Sequence, residues 1–187
     1  VKMVILGWPS EDEKLRIPHN IIKEVMVNAR KDVLVLRNRG IETIQKVLVP
    51  ISGGPNTRLC LNLAASLAYE QEIKVTALHL TPEGLDEEKM EDADLYLQEI
   101  VENSLGAVPD WMEISVRPAP SVSEGIQQTV QVGHYDLLII GAGGDVFSHR
   151  SLFGLLNDIL IETVDCSMLI ARHYQPEAVT WLNKRIH

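Results

Sequence analysis

The sequence predicts an α/β protein: a five-stranded, parallel, doubly wound sheet preceded by a partial strand-helix-strand repeat. Three observations predict it. From Glu42 onward, short apolar, β-branched runs alternate with segments whose apolar residues recur at helical spacing. Such alternation specifies parallel strands joined by right-handed crossovers. The stretch Asp136-Leu-Leu-Ile-Ile-Gly-Ala-Gly-Gly144 is an apolar run that stops at glycines, and Gly154 follows at the mouth of a helix. Finally, His19–Arg37 aligns without a gap onto Gly154–Arg172, and both read as helix, then strand, ending in arginine.

The elements follow in order. Lys2–Gly7 (KMVILG) reads as a strand and echoes Leu137–Gly141. His19–Arg37 supplies a helix and a second strand. Two strands and one helix cannot bury a core of their own. This N-terminal piece must therefore dock on the complete domain, on another copy, or on further sequence. Gln45–Ser52 (QKVLVPIS) is a buried strand, and Pro55–Gln71 carries Leu59, Leu63 and Leu67 at helical spacing. Ile73–Leu80 (IKVTALHL) is a strand ended by Thr81-Pro82. Leu85–Leu105 is a long acidic amphipathic helix with Leu95, Leu97, Ile100 and Val101 among its apolar positions. Met112–Arg117 alternates as a strand does. Ser121–Val132 is a helix, opened by a capping box at Ser121 and Glu124. Leu137–Ile140 is a strand, Leu152–Val164 a helix and Ser167–Ala171 a strand. Residues 1–40, 41–173 and 174–187 thus form a partial unit, a complete unit and a tail.

The composition narrows the functional classes. A chain of 187 residues with a net charge of −9 offers no basic surface for nucleic acid. The acid is concentrated between Glu83 and Glu102, as the solvated face of a helix. Cys60 and Cys166 lie far apart in apolar stretches, without metal-ligand spacing, and are expected to be reduced, buried thiols. No apolar run approaches the roughly 20 residues of a membrane helix, and no secretory signal is present. These features predict a cytoplasmic location. The start at Val1, inside a strand-like run, predicts a piece of something longer.

The glycine junction carries the chemistry. Glycines let backbone N–H groups approach a ligand, and a helix N-terminus beyond them carries unpaired donors and partial positive charge. Gly141, Gly143, Gly144 and Gly154 therefore form the recipe for an anion site, usually phosphate. No nucleophile with an adjacent base can be named, so no enzymatic activity is expected. His79 ends a strand in a packing role. Asp145 follows the glycines, but an aspartate in a turn is ordinary, and no metal is predicted.

Residues 42–173 resemble the universal stress protein family. The carriers are the spacing of Gly141, Gly144 and Gly154 (G-x2-G-x9-G), the opening QKVLVPISGG, the strand VTALHL and the strand SMLIAR. The resemblance implies a five-stranded sheet and an ATP or AMP site at the glycines, with residues 1–40 as the closing third of a preceding stress-protein-like domain. Two departures weaken that site. Leu155 stands where the family's nucleotide binders place Ser or Thr, and Ser52 stands where they usually carry Asp. Losing both contacts, at ~1–3 kcal/mol each, moves a micromolar site towards millimolar. Backbone donors at the glycines are expected to remain, and Ser148, His149, Arg150 and Ser151 could supply others. In the N-terminal piece, His19 replaces the glycine and Trp8-Pro9 replaces the turn, so no phosphate is expected there.

The resemblance also implies pairing of fifth strands. This takes the form of a homodimer or of an internal pseudo-dimer with Val33–Leu36 beside Met168–Ala171. The phrases VILGW, DVLVLRNRG and KVLVPISGGPNTRLCLNLAASLA further resemble the soluble C-terminal regions of amino acid permease and cation-chloride cotransporter-like proteins. They imply a regulatory domain attached to the membrane part of a transporter. A pure interaction module that has lost its nucleotide, or a free tandem stress protein, are the alternatives.

Overall fold

The computed structural model describes residues 3–8, 19–70, 72–143 and 153–176. Five parallel strands carry the fold: β3 (Lys46–Pro50), β4 (Lys74–Thr81), β5 (Met112–Pro118), β6 (Leu137–Gly141) and β7 (Ser167–Arg172). They are joined by α2 (Thr57–Glu70), α3 (Glu87–Leu105), α4 (Val122–Gly133) and α5 (Leu155–Thr163). The N-terminal piece supplies β1 (Met3–Gly7), α1 (His19–Asn28) and β2 (Asp32–Arg37).

All seven strands form one sheet in the order β1-β2-β7-β6-β3-β4-β5. The expected five-stranded sheet is therefore a seven-stranded one. Only the β2–β7 pair is antiparallel. The physical reason is the edge. Without β2, strand β7 would present a row of unpaired N–H and C=O groups.

Burial on both faces explains the continuous apolar runs of the central strands. On one face, Leu48, Leu138, Ile140 and Met168 pack against Ile22 and Met26 of α1, Ile126 and Val130 of α4, and Leu160 and Ile161 of α5. On the other, Val47, Val49, Val75 and Ile139 meet Cys60, Leu61 and Ala64 of α2 and Leu97 and Val101 of α3. The helix starts are written locally. Asp86 caps α3 by accepting the Lys89 N–H. Ser121 caps α4 by accepting the Glu124 N–H at 3.2 Å, and its hydroxyl reaches the Glu124 carboxylate at 2.9 Å.

The β2–β7 junction is built from reciprocal contacts. Val35 faces Ile170, its own counterpart in the gap-free alignment, and the register runs symmetrically outward from that pair. The Arg37 guanidinium donates to Val164 O at the end of α5, and the aligned Arg172 donates to Ala29 O at the end of α1. The Arg39 N–H donates to Ser167 Oγ at 2.9 Å, and the aligned Tyr174 N–H donates to Asp32 Oδ1 at 2.8 Å. Asn38 Oδ1 accepts from the Ser167 hydroxyl, while His173 Nδ1 meets Asp32 Oδ1. Burial pulls the Arg172 pKa below its ordinary value, with Asp32 opposing.

Candidate functional site

The topology dictates where a ligand can enter. From β3 the chain winds outward through β4 to β5, then returns to β6 on the other side of β3 and winds out to β7. The switch point thus lies between β3 and β6, and the crevice beyond the C-terminal strand ends there is the natural binding place of such a sheet. A cavity of about 250 Å³ occupies it. Its polar lining is Ser52, Asn56, Thr57, His79 and Asn157, and its apolar walls include Ile51, Leu80, Val122, Ile126 and Leu156.

Of the residues singled out in the sequence, Ser52, Gly141, Gly143 and Gly154 line this cavity. Gly144 lies outside the described residues, as do Asp145, Ser148, His149, Arg150 and Ser151. Leu155 does not line the cavity; it projects outward with 67% of its surface exposed. Gly154 is the N-cap of α5 at φ +100° and makes no side-chain cap.

The glycine junction itself is occupied by protein. A side chain on Gly141 would place its Cβ 2.7 Å from Asn56 Cβ, so the glycine makes room for Asn56. Asn56 donates from Nδ2 to Ala142 O at 2.8 Å and accepts the His173 N–H on Oδ1 at 2.7 Å. Two backbone donors of the junction are spent as well. The Ala142 N–H reaches Ala171 O and the Gly143 N–H reaches Phe153 O, each at 2.8 Å. The Phe153 N–H donates to the Asp158 carboxylate at 3.1 Å. Asn157, 1% exposed, uses Nδ2 twice, to Gly141 O at 2.9 Å and Phe153 O at 3.0 Å. Those two carbonyls fix its amide orientation and leave Oδ1 buried without a partner.

The opposite wall is shaped by His79 and Tyr96. His79 Nδ1 lies 2.8 Å from Ile51 O. A carbonyl can only accept, so Nδ1 carries a proton, and in that neutral tautomer Nε2 would be the acceptor. Tyr96 stands edge-on to that ring at 5.5 Å. Gly53 (φ +76°) passes so close to the Tyr96 hydroxyl that only glycine fits. The Ile51 N–H donates to Leu78 O at 2.8 Å. Strand alternation turns the amide and carbonyl of Leu80 to the same side, beyond the last residue of β3. Among the described residues, no cluster of His, Cys, Asp and Glu could hold a metal ion.

Sequence reasoning missed Asn56, Asn157, Tyr96 and His173. Asn157 alone had a local signal, a polar residue on the apolar stripe of α5.

No family model matches the sequence, and no curated protein does. Solved structures do. A universal stress protein from Archaeoglobus fulgidus DSM 4304 matches 93% of this chain at a TM-score of 0.62 and 10% identity, and the chain spans 62% of that protein's length. A functionally unknown protein from Pseudomonas aeruginosa PAO1 matches 98% of the chain and 66% of its own length, at a TM-score of 0.57 and 15% identity. A universal stress protein from Archaeoglobus fulgidus in complex with dAMP matches 68% of this chain and 97% of its own length, with a TM-score of 0.50 and 14% identity. The fold is that of the universal stress proteins. Among the described residues, no helix is long and apolar enough to cross a membrane.

Proposed function

We propose that this chain is a regulatory or interaction domain of the universal stress protein type, and that the cavity between β3 and β6 binds an adenine nucleotide weakly. The observation that carries this reading is a preformed crevice at the switch point, lined by Ser52, His79, Gly141, Gly143 and Gly154. A protein of the same fold was solved with dAMP. Calorimetry with ATP, ADP, AMP and cyclic AMP tests the reading; no heat and no thermal shift at millimolar ligand sinks it.

Residues 1–40 are read as the closing third of a preceding unit of the same kind. The reciprocal contacts of Arg37 and Arg172, and of Arg39 and Tyr174, support this. They are the contacts a two-fold pair of identical surfaces makes, here as a pseudo-dimer within one chain. We further read the domain as the cytosolic part of a membrane transporter of the amino acid permease or cation-chloride cotransporter type. It acts by binding and contact, without turnover and without a metal. Expressing the gene's full reading frame and finding it in the membrane fraction checks the transporter assignment.

The second reading, an interaction module without ligand or a free tandem stress protein, is favoured by the spent donors at the glycine junction. Self-association that persists without nucleotide, followed by sedimentation, supports it.

A further inference from the structure

We infer that the outer edge of β1 is an interface between two copies of this chain, paired antiparallel about a two-fold axis at Ile5. No residue of β1 lines the crevice, so the interface stands whether or not a nucleotide binds there.

The two edges of the sheet, β1 and β5, differ in kind. Strand β5 carries the devices of an edge that stays single: Glu113 and Arg117 are exposed charges along it, and Pro118 closes it. Strand β1 (MVILG) has neither charge nor proline. An apolar edge of that kind is a template for pairing, and among the described residues no strand takes it.

The aligned strand β6 shows what is uncovered. Gly7 corresponds to Gly141, so Ile5 corresponds to Ile139. Ile139 is fully buried in a strand that has β3 on its far side, whereas Ile5 is 64% exposed. A Cβ on Gly141 would strike Asn56, but one on Gly7 would meet nothing within 4 Å. On the other face of the sheet, Leu156 of α5 packs against the core, while the aligned Ile21 of α1 is 46% exposed.

The backbone favours a second copy as the occupant. The Trp8 N–H donates to Leu36 O of β2. Alternation then turns Val4 and Leu6 towards β2, and the N–H and C=O groups of Met3, Ile5 and Gly7 outward. Ile5 is the middle residue of β1. A two-fold axis there sets Ile5 against its own copy and Met3 against the second copy's Gly7. Each such pair exchanges both hydrogen bonds, so every outward group of β1 finds a partner. No like charges meet across this seam. The fold already holds one of the same kind, since β2 and β7 pair antiparallel about Val35 and Ile170. Repeating it at β1 joins two seven-stranded sheets into one and keeps both α1 helices on the same face.

Sedimentation equilibrium of the full chain is the test, and a dimer is expected. Ile5→Pro removes the outward N–H at the centre of the seam and spares the β1–β2 bonds, as proline on an edge strand can. It is expected to weaken the dimer at least about tenfold. Ile5→Lys keeps the backbone but sets two ammonium groups on residues whose Cα atoms lie roughly 5.5 Å apart, and the same loss is expected. Circular dichroism checks both folds, and either variant decides if the other fails to fold. Register is read by mild oxidation. Ile5→Cys should close a disulfide across the axis, because about 5.5 Å between Cα atoms suits one; Met3→Cys should not, because Met3 does not face itself. A wild-type monomer throughout the micromolar range overturns the inference. So does a dimer that both substitutions leave intact, or a disulfide that forms faster at Met3→Cys.

Discussion

The two helix-strand units α1–β2 and α5–β7 use the same contacts but differ in polarity at one position buried in both. Ile22 in α1 and Asn157 in α5 are aligned, and both are almost fully buried. Ile22 belongs to the apolar core. Asn157 ties Gly141 O and Phe153 O together and leaves an acceptor unpaired. The turns before them differ in the same sense. Trp8 lies against the buried Phe153 at 5.5 Å, which seals the end of β1 with apolar surface, while the end of β6 opens on a cavity. A shared packing scheme therefore tolerates either residue type geometrically. Only the unit beside the crevice carries the polar one, at a cost in buried polarity.

Exchanging those residues breaks the contrast most strongly. Ile22→Asn buries an amide among Met26, Val33 and Val35 without the carbonyls that hold Asn157. A loss of about 3 kcal/mol is expected from lost apolar burial and an unsatisfied amide, measured by urea unfolding. Asn157→Leu removes the hydrogen bonds but also the unpaired Oδ1, so it is expected to cost about 1 kcal/mol. Equal losses in the two variants would mean that Asn157 is ordinary core.

The arginines come next. Arg37→Ala and Arg172→Ala each remove a charged donor to the last carbonyl of the opposite helix. Each is expected to cost about 1.5–3 kcal/mol. Near-equal values from the same urea experiment support a two-fold-like junction. A much smaller value for Arg172, whose Nε is buried without a partner, would break the symmetry in energy while leaving it in geometry.

Gly141→Ala measures how far the glycine junction serves packing. The new Cβ would collide with Asn56 Cβ, an overpacking error of about 1–3 kcal/mol. Measured in an Asn56→Gly background, the loss caused by Gly141→Ala should mostly disappear, because the two side chains contend for one space. If the loss persists undiminished, Asn56 is not the reason for the glycine.

The fold was legible in the sequence because its signals are local. The strands at Lys46–Pro50 and Leu137–Gly141 are apolar runs, and Ser121 and Glu124 lie within one helical turn. The chemistry of the junction was not legible, because it is decided by partners far away. Gly141 looks like a ligand glycine until Asn56 folds against it, and Asn56 reaches Ala142 across 86 residues of sequence. The strand count of five left out β1 and β2, which join the same sheet beside β7.

The smallest effect concerns the thiols, one in each of the two core clusters. Burial pushes Cys60 up to about 12 and Cys166 up to about 11, from an ordinary value of 9.0. Above pH 9 the unfolded chain loses these protons while the folded chain keeps them, so the unfolded state binds fewer protons and stability falls with rising pH. The fall begins near pH 9 and ends as pH passes the folded values. At pH 8 the same burial makes both thiols inert, so a thiol-reactive dye should label neither until urea unfolds the chain. Cys60 lines the cavity and Cys166 does not. Labelling of Cys60 alone in the folded protein would show that the crevice opens to reagents, and AMP should then suppress that labelling while Cys166 stays protected.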